Sequence, residues 1–162
     1  MREGWYDSAQ ICLNGHVVNI AIKATPEHSA KYCKFCGQPT VTACSACKTE
    51  IRGKHFMKGV WSWSVRIPLP KFCETCGTPY PWTQAKMMAA EDLAGSIDSF
   101  NDEDRSDLKS SVGEIVKDTP QTTVAATRFK KLMKKAGKGA AEGFKNILTD
   151  IVSEAAKKVI WP

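Results

Sequence analysis

At 162 residues the chain has room for one ordinary domain or two small ones, and 43% hydrophobic with 25% charged residues excludes a low-complexity or disordered protein. The formal net charge of +6 is mild for a dedicated nucleic-acid binder. No uncharged run approaches the ~18 residues that cross a bilayer, and the opening MREGWYDSAQIC has no apolar signal core, so a soluble cytoplasmic protein is expected.

In chain order, the first motif is Cys12-Leu13-Asn14-Gly15-His16, a thiol followed four residues later by an imidazole. A strand-like apolar run over 17–22 follows, and then come three Cys-x-x-Cys pairs: Cys33/Cys36, Cys44/Cys47 and Cys73/Cys76. Between the last two pairs, residues 60–67 alternate strictly, with Trp61, Trp63, Val65 and Ile67 on one face and Val60, Ser62, Ser64 and Arg66 on the other. All seven cysteines lie in the first half. A disulfide framework fits poorly with an odd number of cysteines in a reducing compartment. A thioredoxin-type dithiol needs one pair, whereas three pairs, two of them followed by Gly37 or Gly77, suit metal knuckles, whose tight turn uses backbone angles open to glycine.

Eight ligands make two tetrahedral sites, and zinc, redox-silent and at home with thiolates plus an imidazole, is the expected ion. His16 is counted because without it the inventory stops at seven; His28 and His55 are read as ordinary side chains. The expected ligands are therefore Cys12, His16, Cys33, Cys36, Cys44, Cys47, Cys73 and Cys76. Three pairings satisfy this set: sequential, which suits two zinc ribbons joined by GQPTVTA (residues 37–43); nested; and interleaved as in a cross-brace.

The string YDSAQICLNGH, followed by YCKFCG, CSAC, IRG and FCETCGTPYPWT, resembles a bacterial zinc-ribbon family catalogued as domain of unknown function family 2321. The resemblance is specific over residues 5–83. It implies the ribbon fold and the metal and brings no activity; a looser similarity to tandem ribbons supports sequential pairing.

After Trp82 the periodicity becomes helical. Thr83 is read as the cap of a helix carrying Met87, Met88, Ala90, Leu93, Ala94 and Ile97, followed by an acidic linker near 98–107 whose acid cluster, Asp102, Glu103 and Asp104 with Asp107, is read as the start of the next helix. Leu108, Val112, Ile115 and Val116 mark a second helix. A third, carrying Val124, Ala125, Phe129, Leu132 and Met133, stops at Gly137 or Gly139, and a fourth runs from Ala140 to Ile160. The expected fold is α+β: a tandem zinc-ribbon module over 1–83 and a helical bundle of about four helices over 84–162, docked on each other.

Charge divides by segment. Residues 1–83 hold 10 Lys and Arg against 5 Asp and Glu, residues 84–118 hold 4 against 9, and residues 119–162 hold 9 against 3. Seven bound thiolates and two divalent ions would bring the formal +6 down by three. There is no phosphate-binding glycine loop, HExxH or Gly-x-Ser-x-Gly. The expectation is a non-enzymatic zinc-binding adaptor with a protein partner. The alternative is a nucleic-acid binder that uses the Trp61 and Trp63 strand, which otherwise reads as core, and the basic clusters, including Lys130, Lys131, Lys134 and Lys135. Membrane association is disfavoured by Glu142, Asp150 and Glu154, and oligomeric state is left open.

Overall fold

The computed structural model describes residues 4–60 and 66–162. The chain divides into two compact units, Met1–Thr83 and Gln84–Pro162. Strands and cysteines lie in the first and helices dominate the second, so the fold class is α+β.

Among the described residues the first unit contains five short strands: β1 (Gly4–Ser8), β2 (Gln10–Cys12), β3 (Val17–Asn19), β4 (Thr40–Val41) and β5 (Arg52–Met57). β3, β2 and β4 form one antiparallel sheet, and β1 pairs with β5 in another. Only Ala9 separates β1 from β2; it is fully buried, and its N–H donates to Ile51 O at 2.8 Å. The strand expected over 17–22 stops at Asn19, whose side chain accepts from Ala21 N–H and donates to Thr25 O, turning the chain away. The stretch expected to be a linker, 37–43, contains β4, with Thr40 opposite Cys12 and Val41 opposite Ile11. The alternating run 60–67 falls mostly outside the described residues, and Trp61 and Trp63 with it; Val60 bridges Met57.

Among the described residues the core of this unit is small. Ala9, Ile11, Ile51, Tyr80 and Trp82 pack with the sulfurs of Cys44 and Cys73, and Val41, Ile67 and Leu69 flank them. Tyr80 stacks on Trp82 with centroids 4.7 Å apart, and the buried indole N–H donates to Pro70 O at 2.7 Å, which satisfies the ring's one polar atom.

The second unit carries the helices: α1 (Pro81–Gly95), which starts just ahead of the unit boundary, α2 (Asp102–Ile115), α3 (Thr122–Ala136), α4 (Lys138–Leu148) and α5 (Glu154–Ile160). α3 is central, with α2, α4 and α5 packed on it. Phe129 and Phe144 meet edge to face at 5.9 Å, and Leu108, Val112, Ile115, Leu148 and Ile151 complete a closed core. Two expectations change here. α1 begins at Pro81, with proline in the first turn where its missing N–H costs nothing, and Thr83 lies inside the helix, donating to Lys71 O. The acid cluster over 102–107 starts α2, as its sequence suggests, and Asn101 and Asp104 close that start with a reciprocal capping box. The expected fourth helix is two, because the chain turns at 149–153 and Ser153 caps α5 by accepting from Ala156 N–H.

Candidate metal centres

Each Cys-x-x-Cys pair folds the same way. The N–H of the first cysteine donates to a carbonyl five residues on: Cys33 to Gln38, Cys44 to Thr49 and Cys73 to Thr78, each at 2.9 Å. The residue after the second cysteine donates back to the first cysteine's carbonyl: Gly37 at 2.8 Å, Lys48 at 3.0 Å and Gly77 at 2.8 Å. That residue must turn into the left-handed region, and Gly37, Lys48 and Gly77 have φ of 69°, 64° and 71°. The first motif is tighter: Cys12 N–H donates to His16 O at 3.0 Å, Gly15 N–H donates to Cys12 O at 2.8 Å, and Gly15 sits at φ 89°.

These turns bring all eight expected ligands into two groups of four, Cys12, His16, Cys33 and Cys36, and Cys44, Cys47, Cys73 and Cys76. Within each group the donor atoms lie within 4.8 Å of one another. The grouping is sequential, and neither nested nor interleaved. His28 and His55 belong to neither group. All seven cysteines are free thiols, with no disulfide.

The donor spacing tests the fit to an ion. A tetrahedral ion with thiolate bonds of about 2.3 Å sets its sulfurs about 3.8 Å apart, and sulfur and imidazole nitrogen about 3.6 Å apart. Cys12 Sγ and Cys36 Sγ are separated by 3.7 Å, Cys44 and Cys76 by 3.8 Å, and Cys47 and Cys73 by 3.6 Å. His16 Nδ1 is 3.4 Å from Cys12 Sγ and 3.6 Å from Cys33 Sγ, which places Nδ1 where a ligating nitrogen would sit. The residues fit a metal ion in each group.

Residues 5–160 match domain of unknown function family 2321, described as an uncharacterised protein conserved in bacteria. The chain belongs to this family. No curated protein and no solved structure matches it. Among the described residues of this family 2321 chain, no helix is long and apolar enough to cross a membrane.

The chain's own hydrogen bonds prepare the sulfurs for ionisation. Burial of Cys33 opposes its charge, but the N–H groups of Phe35 and Cys36 outweigh that and bring the thiol down to about 7. The Thr49 hydroxyl, 3.3 Å from Cys47 Sγ, lowers that thiol, and the Thr78 hydroxyl, 3.4 Å from Cys76 Sγ, does the same there. Cys12 and Cys44 run the other way, Cys12 pushed up by its burial and Cys44 by its burial and its contacts with the sulfurs of Cys76 and Cys73. Thr49 and Thr78 were missed from the sequence alone, although the repeated Cys-x-x-Cys-x-Thr spacing carries them. In every pair the first ligand is buried, while His16 and Cys76 are exposed and Cys36 and Cys47 intermediate.

Proposed function

We propose that this is a non-enzymatic zinc-binding interaction protein, whose two ions are structural and whose tandem ribbons act as an adaptor surface for a protein partner. The observation that carries the reading is the division of eight donors into two closed sets of four. A catalytic zinc keeps a position for water or substrate, and neither set reserves one. Zinc suits both donor sets, the three thiolates with an imidazole and the four thiolates, without redox chemistry. With a core of so few side chains, the first unit depends on its ions for its shape.

Elemental analysis tests the metal. Two zinc ions per chain are expected, and Cys44→Ser should lower the content to about one. Fewer than two in the unaltered protein, or iron in their place, overturns the zinc assignment. A pull-down from the native host after nuclease treatment should retain a protein at constant stoichiometry. Turnover of a substrate, abolished by a change outside the eight ligands, would overturn the non-enzymatic reading.

One observation favours a second reading, a nucleic-acid partner. The described residues of the first unit hold four cation–aromatic pairs: Lys31 over Tyr32, Lys34 over Phe35, Arg52 over Tyr6 and Lys54 over Phe56. Folded proteins carry about one such pair per 70–80 residues. Tyr6, Tyr32 and Phe35 are 52%, 55% and 71% exposed, so each sets an exposed aromatic surface beside a cation, the pairing that single-stranded nucleic acid stacks on.

A further inference from the structure

A cavity of about 380 Å³ opens in the first unit beside the β1–β5 pair, lined among others by Tyr6, Arg52, His55, Arg66, Phe72 and Tyr80. Its shape begins with one irregularity. Gly4, Trp5 and Tyr6 pair in register with Met57, Phe56 and His55, but Ser8 pairs with Arg52, so β5 holds one extra residue between Arg52 and His55. Without that bulge Arg52 would point to the face of Trp5; with it, Arg52 lies on the face of Tyr6. The guanidinium then sits 4.4 Å from the Tyr6 ring centroid, held there by an ion pair of 2.8 Å to Glu74, while His55 tilts against the same ring at 4.5 Å.

We propose that this cavity binds a single unstacked nucleotide, its base stacked on the Tyr6–Arg52 pair and its phosphate met by Arg66. The inference rests on the second reading above for the chemistry of the partner, and it names a site that reading does not need. Three properties point to a nucleotide. The volume lies in the range of about 300–1,000 Å³ of small-molecule sites, enough for one base and its sugar and too little for a duplex. Tyr6 and the guanidinium over it offer planar faces of the kind on which unpaired bases stack. Arg66 is exposed and, among the described residues, has no ion-pair or hydrogen-bond partner, which leaves its charge for a phosphate. Glu50 and Glu74, also in the lining, are engaged with Lys23 and Arg52 and keep free acceptor capacity for the N–H groups of a base edge.

The test uses the full zinc-loaded chain with two probes, adenosine 5′-monophosphate and a fluorescent ten-nucleotide single strand of RNA. Calorimetry or fluorescence anisotropy gives the affinities, and a glutamate-rich peptide serves as the competing chemistry. Tyr6→Leu, which keeps bulk and removes the aromatic plane, should weaken binding about 10-fold or more. Arg66→Gln should weaken it and remove about one unit from the slope of log K against log salt. Zinc content and thermal midpoint of both variants should match the unaltered protein, which shows that they fold. Binding of the mononucleotide places the site on free nucleotides, and binding of the strand alone places it on single-stranded RNA; both support the pocket when the variants lose them. A strand that binds the unaltered protein and both variants equally overturns the pocket while leaving the nucleic-acid reading standing. Binding of neither probe at millimolar concentration, or of the peptide alone, overturns both.

Discussion

A methyl group on Gly53 would sit 2.3 Å from Ile20 O and 2.7 Å from Ser8 C, both backbone atoms that cannot swing aside. Gly53 therefore lets β5 bulge and lets Lys54 N–H reach Ile20 O at 2.7 Å. Gly53→Ala is expected to cost about 1–3 kcal/mol or more in denaturant unfolding of the zinc-loaded protein, and to dislodge Arg52 from Tyr6. Lys48 is the opposite case. It occupies the left-handed position that Gly37 and Gly77 fill in the other two pairs. Lys48→Gly should relieve the Cβ strain and stabilise by up to about 1 kcal/mol, less what glycine adds to the freedom of the unfolded chain. A lower unfolding midpoint for Lys48→Gly would show that the strain stored there is smaller than the entropy that glycine returns to the unfolded chain.

Among the elements, the α2 cap is the most exposed to test. Asn101 accepts from Asp104 N–H at 2.8 Å and Asp104 accepts from Asn101 N–H at 2.9 Å, so Asn101→Ala should cost about 1 kcal/mol of helical stability, read by circular dichroism during unfolding. The Lys135 ammonium, and then the Asn101 N–H, hold the Asp104 carboxyl below its ordinary value of 3.8. A carboxyl depressed in the folded state adds stability above its unfolded value and loses it as pH falls through the folded one. The difference between Asp104→Asn and the unaltered protein should therefore be full near pH 6 and vanish toward pH 2. Elements with a repeating apolar stripe, such as α2 and α3, were legible in the sequence because 3.6-residue spacing and one buried face are the same fact. The division of α4 from α5 was not: Phe144, Leu148, Ile151 and Ala155 stay in phase across the break, and only the Ser153 cap marks it. The grouping of candidate donors was legible because thiolates and imidazole announce their chemistry, and the turn of His16 Nδ1 toward the sulfurs was not, since ring orientation is a product of the folded turn.

At the scale of the whole molecule, the two units have different sources of order. The helical unit holds a closed core of large side chains, and the first unit holds a few side chains and two donor sets. Chelation at neutral pH should abolish the dispersed amide signals of residues 4–60 in a nuclear magnetic resonance spectrum and leave most of the helical circular dichroism in place. Loss of both together would show that the units fold as one. Within the first unit the two donor sets are not separable modules, since Ile11 beside Cys12 packs against Cys44 and Cys73, and β1, which precedes every ligand, pairs with β5, which follows Cys47. During synthesis the ligands of the first set all emerge before residue 40, so they can close on an ion early. β1 must then wait for β5. At about 5–20 residues per second the interval is roughly 3–10 s. For that time Trp5 and Tyr6 stand on a strand with no partner, so this protein's first hazard as it is made is a bare strand edge, with the early metal site as the only order near it.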